Sequence, residues 1–144
     1  MDDKDRAIIA GLQENAGQSY AGLAESVGLS AGAVHERVRK LREKGVIGLP
    51  TVEVDPVALD KSVLSFITVD TDQWMGDSAD AFAEIPEVLE AHVVAGAATL
   101  LLKVRTEGMR ELQEVLRRLY EIPGVRGTSA TIVLESFFAR PVSP

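Results

Sequence analysis

Cysteine is missing from this 144-residue chain, and histidine, tryptophan and aromatic residues in general are scarce: two His, one Trp, and 5% Phe, Trp and Tyr together. Without cysteine there is no disulfide, no thiolate metal site and no cysteine nucleophile. His35 and His92 are too few for a histidine metal cluster, so neither a metal nor a cofactor is expected. No window approaches the roughly 18 uninterrupted apolar residues of a membrane span. The opening MDDKDR is acidic where a signal peptide would be basic and then apolar. A soluble, cytoplasmic protein without a membrane partner is the expectation. Disorder is not indicated either, because an apolar fraction of 46% can fill one good core or two small ones.

Positive charge is in short supply overall, with a formal net charge of -7, yet it is unevenly spread. Residues 1–49 hold seven Lys/Arg and seven Asp/Glu, so the whole excess of acid falls in the remainder. An acidic body is repelled by phosphates and would leave contact with a polyanion to the N-terminal part.

That part contains the most informative stretch, Ser30 to Lys44, read as SAGAVHERVRKLREK. Ser30 suits a helix N-cap and Gly45 a stop, while Val34, Val38 and Leu41 recur at the spacing that buries one helix face. Arg37, Arg39, Lys40, Arg42 and Lys44 outnumber Glu36 and Glu43, so the element is locally basic. Upstream, Leu23, Ala24, Val27, Gly28 and Leu29 stand where a helix-turn-helix needs core residues, a turn glycine and an apolar anchor, with the turn at Gly28-Leu29-Ser30. Asp5, Ile8, Ile9 and Leu12 suit a first helix, acidic at its N-terminus and apolar toward the other two. Gly45 to Gly48 followed by Thr51-Val52-Glu53-Val54 reads as a turn and an extended segment that begins a wing or hinge.

Such a helix is built to enter double-stranded DNA. Gly32, His35, Glu36 and Arg39 stand away from the apolar stripe and are the candidates for base contact. Arg39 suits guanine and Glu36 can accept from cytosine. Ser30, Lys40 and Arg42 are candidates for phosphates. Arg37 points partly toward the core, with Asp5 its expected partner.

The second half carries an internal repeat. Glu84-Ile85-Pro86-Glu87-Val88 and Glu121-Ile122-Pro123-Gly124-Val125 are near copies, each after a helical pattern and before a strand pattern. The first unit runs from strand 63–69 through a helix with Ala79, Phe82 and Ala83 to strand 88–94. The second runs from strand 99–104 through a helix with Met109, Leu112, Leu116 and Leu119 to a strand from Thr128 to Phe138. Two such halves make a ferredoxin-like βαββαβ unit with helices on one face of the sheet and the other face open to dimerisation. The fold class is therefore α+β: a three-helix, winged helix-turn-helix domain at 1–49, a hinge at 50–60 and the ferredoxin-like domain at 61–144. Trp74 is expected to pack over the edge of that domain, and His92 to be an ordinary strand residue.

Over essentially its whole length the chain resembles the Lrp/AsnC family, the feast/famine regulators of bacteria and archaea. The family's opening L-D-x-x-D-x-x-I-L stands here as Met1 to Ile9, its L-A-x-x-x-G-L-S as Leu23 to Ser30, and its V-x-x-R-V-x-x-L with G-x-I as Val34, Arg37, Val38, Leu41, Gly45 and Ile47. The hinge motif V-D-P-x-x-L-G stands as Val54 to Asp60, with Asp60 in place of the glycine. The resemblance implies a prokaryotic, nucleoid-associated transcriptional regulator. It implies a homodimer, with dimers assembling further into tetramers or octameric rings, and a small-molecule effector, an amino acid or related compound, between effector domains. The family's ligand-side G-x-Y-D stands here as Gly96-Ala97-Ala98-Thr99, without the aromatic or the carboxylate. These four residues, together with Gly124, Thr128, Ser129 and Thr131, are the candidate effector site, which should be roomier than usual and less able to anchor an ammonium group. Two alternatives stay open: an effector-independent nucleoid organiser or partner subunit of the same family, and, remotely, a decarboxylase of tetrapyrrole synthesis with the same architecture. The latter would need cations and histidines in the second domain, which is acidic and has one histidine; no enzyme activity is expected.

Overall fold

The computed structural model describes residues 1–144 and divides into two compact units, Met1–Glu53 with Phe138–Pro144, and Val54–Phe137.

In the first unit, α1 (Asp3–Glu14), α2 (Tyr20–Val27) and α3 (Ala31–Glu43) surround a core of Ile8, Leu23, Ala24, Val27, Val34 and Val38. The helices start where their caps demand. Asp2 and Asp5 form a reciprocal box, with Asp5 N donating to Asp2 Oδ1 at 2.8 Å and Asp2 N donating to Asp5 Oδ2 at 3.0 Å. Ser19 and Ser30 accept from the backbone N–H of Gly22 and Ala33 at 3.1 and 3.2 Å. Gly28 ends α2 at φ +64°, a left-handed conformation that a side chain disfavours, and it turns the chain into α3.

The expected wing or hinge strand is not formed. Residues 48–55 carry no regular element, and Leu49 and Val52 are exposed. A 3-10 turn at Val57–Leu59 follows, closed by Asp60 at φ +56°. Asp60 thus adopts the conformation that glycine adopts without strain.

In the second unit β1 (Val63–Thr71), α4 (Ala79–Ala83), β2 (Val88–Val93), β3 (Leu100–Thr106), α5 (Met109–Glu121) and β4 (Val125–Ile132) form the ferredoxin-like order. The sheet is antiparallel in the order β2-β3-β1-β4. Ile67, Val69, Leu100, Leu102 and Val104 face Phe82, Leu112, Val115 and Leu119 of the helices in one buried cluster. Val115, not the half-exposed Met109, completes the buried stripe of α5. The repeat survives as matched geometry: Val88 N donates to Ile85 O at 3.0 Å and Val125 N to Ile122 O at 3.2 Å, with both isoleucines buried.

Two other expectations are corrected. β4 stops at Ile132 and does not reach Phe138, because Ile132 already lies opposite Ser65 near the start of β1 and Val133 makes the last bond, to Leu64 O. Trp74 is 70% exposed and does not pack over the domain edge; its indole lies against Gly76, where a Cβ would sit 2.4 Å from the ring.

Candidate nucleic-acid interface and effector segments

Helix α3 buries Val34, Val38 and Leu41 and turns its remaining faces outward. Ser30, Gly32, His35, Arg39, Lys40 and Arg42 are all exposed and Glu36 is half-buried, so the helix places every expected contact residue off the buried stripe. A Cβ at Gly32 would meet nothing within 4 Å, which leaves that part of the first turn open to close approach. The Ser30 hydroxyl is spent as an acceptor on its cap but keeps its own hydrogen to donate. The His35 ring packs edge-on against Tyr20, with centroids 5.6 Å apart, and this contact ties it to α2.

Three of the cations of α3 are already paired. Arg37 Nη1 lies 2.7 Å from Asp5 Oδ1 and 2.8 Å from Asp2 Oδ2, so the guanidinium closes α3 onto the capping box of α1. The expected partner is joined by a second, Asp2, which sequence reasoning missed. Hydrogen bonding holds both carboxyls below the usual range. For Asp5 the backbone of Asp2 contributes most and then Arg37; for Asp2 the backbone of Asp5 leads and Arg37 follows.

Arg39, the expected guanine reader, sits in a fork of carboxylates. Its Nε donates to Glu36 Oε2 at 2.9 Å, its Nη2 to Glu36 Oε1 at 2.6 Å and its Nη1 to Glu43. Lys40 also approaches Glu36, at 3.6 Å. Mainly through the hydrogen bonds of Arg39, Glu36 is lowered to about 2, so it is ionised at neutral pH. Glu36 therefore has its oxygens turned to two cations of its own helix and not outward to a base. The spacing that produces this fork, carboxylates three residues before and four after Arg39, was readable in the sequence.

The candidate effector residues do not gather into one surface. Gly96, Ala97, Ala98 and Thr99 form the turn between β2 and β3, with Gly96 at φ +155°. Thr128 lies opposite Val69, so it shares the helix-covered side of the sheet, whereas Ser129 and Thr131 lie opposite Thr68 and Phe66 on the other side. Two backbone donors there are taken: Thr99 N donates to Val69 O at 3.1 Å and Thr128 N to the Tyr120 hydroxyl at 3.2 Å. Gly124 O accepts from Asp72 N, which brings Gly124 to the same end of the sheet as the 96–99 turn. An apolar cavity of about 250 Å³ lies elsewhere in this unit, lined by Val54, Pro56, Leu59, Lys61, Leu89 and Arg105 among others. His92 lies on the surface beside Glu90, which also pairs with Lys103.

Comparison with known proteins agrees with this two-part arrangement. Residues 1–47 match the model of the winged helix-turn-helix DNA-binding domain and residues 62–142 that of the Lrp/AsnC ligand-binding domain. The chain is 36% identical to the HTH-type transcriptional regulator FL11 of Pyrococcus horikoshii, covering 94% of this chain and 91% of that protein. It superposes on the structure of Escherichia coli AsnC with a TM-score of 0.88 at 31% identity, covering 100% and 99% of the two chains. It also superposes on the feast or famine regulatory protein Rv3291c of Mycobacterium tuberculosis in complex with L-methionine, with a TM-score of 0.90 at 30% identity and 99% of each chain covered. The chain thus belongs to the Lrp/AsnC family and is a transcriptional regulator that joins a helix-turn-helix DNA-binding domain to a ligand-binding domain.

Proposed function

We propose that the N-terminal domain, residues 1–49, binds operator DNA by laying α3 in the major groove. Gly32, His35 and Arg39 face the base edges, and Ser30, Lys40 and Arg42 hold phosphates. The observation that carries this reading is the single outward face of α3, which gathers these side chains while Val34, Val38 and Leu41 are buried. Two copies joined through the hinge at 50–60 and the ferredoxin-like domain at 61–144 would present two such helices to one side of the duplex. The unpaired segment 48–55 is suited to complete a strand with a second copy, which would supply the hydrogen bonds it lacks here. Assembly of such dimers into tetramers or octameric rings belongs to the same reading, as does a place in the cytoplasm at the nucleoid.

The effector is an amino acid or related compound with an apolar side chain. The methionine complex of Rv3291c, a relative similar over the whole chain, supports the class. With Ala97, Ala98 and Thr99 where the family has bulky and acidic groups, the α-ammonium of any amino acid is held less firmly and the pocket is roomier, so a large apolar side chain has to supply more of the binding. We assign no catalytic step to the protein, whose matches are to regulators. A second reading, an effector-independent subunit or nucleoid organiser, is favoured by the same missing carboxylate and by the occupied N–H groups of Thr99 and Thr128.

A gel shift on the DNA upstream of the protein's own gene, repeated with each of the twenty amino acids, separates these. A shift modulated by methionine, leucine or a similar side chain is expected. A shift indifferent to all twenty supports the second reading as a nucleoid organiser, and no shift at all contradicts the operator reading and leaves the partner subunit ahead.

A further inference from the structure

Arg39 is not a free cation on the outer face of α3. Of its five N–H groups, three are committed, Nε and one on Nη2 to the two oxygens of Glu36 and one on Nη1 to Glu43. One N–H on each Nη remains. Guanine offers two acceptors, O6 and N7, at its major-groove edge, and bidentate arginine is its commonest specific partner. The donors left over match that edge in number, and an arginine side chain held on two sides has less rotamer freedom to lose when it binds.

We propose that Glu36 is a positioning residue for base recognition: with Glu43 it fixes the Arg39 guanidinium so that the two remaining N–H groups meet O6 and N7 of one guanine, and Glu36 itself touches no base. The proposal rests on the reading of α3 as the element in the major groove and replaces the direct role, as an acceptor from cytosine, that the sequence suggested for Glu36. The hydrogen bonds of Arg39 lower Glu36 to about 2, so at neutral pH the fork is an ion pair as well as a hydrogen-bonded one. The same side chain also draws Lys40 to 3.6 Å, so one carboxylate restrains two cations of the interface. Its effect on DNA binding is therefore of two kinds. It sharpens the choice of base through Arg39, and as a negative charge near the phosphates it weakens binding to every sequence.

An identical fork stands on α5, where Arg117 Nε and Nη2 meet Glu114 at 3.0 and 2.6 Å and Nη1 meets Glu121. The arrangement follows from helical spacing alone. What distinguishes the copy on α3 is its place on the DNA-facing helix, and the copy on α5 supplies an internal control.

The test is selection of preferred sequences from random duplexes, with titration on the best site and on random DNA, for full-length wild type, Glu36→Gln, Arg39→Ala and Glu114→Gln. Arg39→Ala should erase guanine preference at one position, which identifies it. Glu36→Gln should reduce preference at that same position by about tenfold while binding random DNA as tightly as wild type or tighter. Glu114→Gln should change neither. Unaltered guanine preference in Glu36→Gln, or a loss at a different position from that lost in Arg39→Ala, overturns the proposal. If Arg39→Ala alters no position, it is the reading of Arg39 and of the α3 face that fails, and the two failures are thereby told apart. Melting curves of the four proteins should coincide within a few degrees, and an unfolded Glu36→Gln would itself contradict a role confined to the DNA face.

Discussion

Arg37 Nη1 lies 2.7 Å from Asp5 Oδ1, an ion pair that joins the recognition helix to the first turn of α1 across 32 positions of sequence. Asp5 is simultaneously an arm of the capping box with Asp2, which Arg37 also contacts. Helix capping and interhelical docking therefore share the same two carboxylates.

Removal of the guanidinium leaves those carboxylates adjacent and uncompensated. Arg37→Ala should lower the melting temperature of the N-terminal domain by several degrees and leave the order of preferred DNA sequences unchanged. Calorimetry and binding measured on one preparation would show this, and an unchanged melting temperature with altered preference would move Arg37 to the DNA face.

The same contacts set an acid limit. Asp2 and Asp5 are depressed below their ordinary value of 3.8 by hydrogen bonds from each other's backbone and from Arg37. Their contribution is complete above that value and is lost as pH falls through the depressed folded values. Melting temperature followed from pH 6 to pH 2 should fall more steeply for wild type than for Arg37→Ala, and parallel curves would contradict the linkage.

Asp60 occupies a left-handed conformation where the family's hinge pattern has glycine. Asp60→Gly should relieve about 1 kcal/mol of backbone strain, offset in part by the greater freedom of glycine when unfolded. Gly28, at φ +64°, gives the opposite case, and Gly28→Val should destabilise the helix-turn-helix by about 1–2 kcal/mol or more. Chemical denaturation of both variants checks the signs.

The proposed binding as a dimer carries a spacing requirement. Half-sites should recur at about 10 bp or a multiple of it on one side of the duplex. Hydroxyl-radical footprinting would reveal this, and a single unsymmetrical protected patch would count against it.

The helix-turn-helix was legible in the sequence because its signals are local: Ser30 and Gly28 as boundaries, and Val34, Val38 and Leu41 as a stripe that ends up buried. The ferredoxin-like order was legible because the repeat marks both helix-to-strand turns, with Ile85 and Ile122 buried at equivalent places. The strand ends were not, since β4 stops at Ile132 because its pairing with β1 ends there, opposite Ser65 and with a last bond from Val133 N to Leu64 O, and that register is not written in the β4 sequence. The fork around Arg39 was written in the spacing of Glu36, Arg39 and Glu43 but was masked by reading each side chain as an independent contact. The split of Thr128 from Ser129 and Thr131 follows from strand alternation, yet it needed the register with β1 to assign the faces.

That α3 reads DNA with its outward face is tested most directly by equilibrium titration of operator and random duplexes at several salt concentrations, for wild type, Arg39→Ala and Lys40→Ala. Arg39→Ala should lose about tenfold or more on the operator and little on random DNA, whereas Lys40→Ala should weaken both alike and reduce the salt slope by about one. Equal losses on operator and random DNA for both variants, or none for either, would contradict the assignment of that face to DNA.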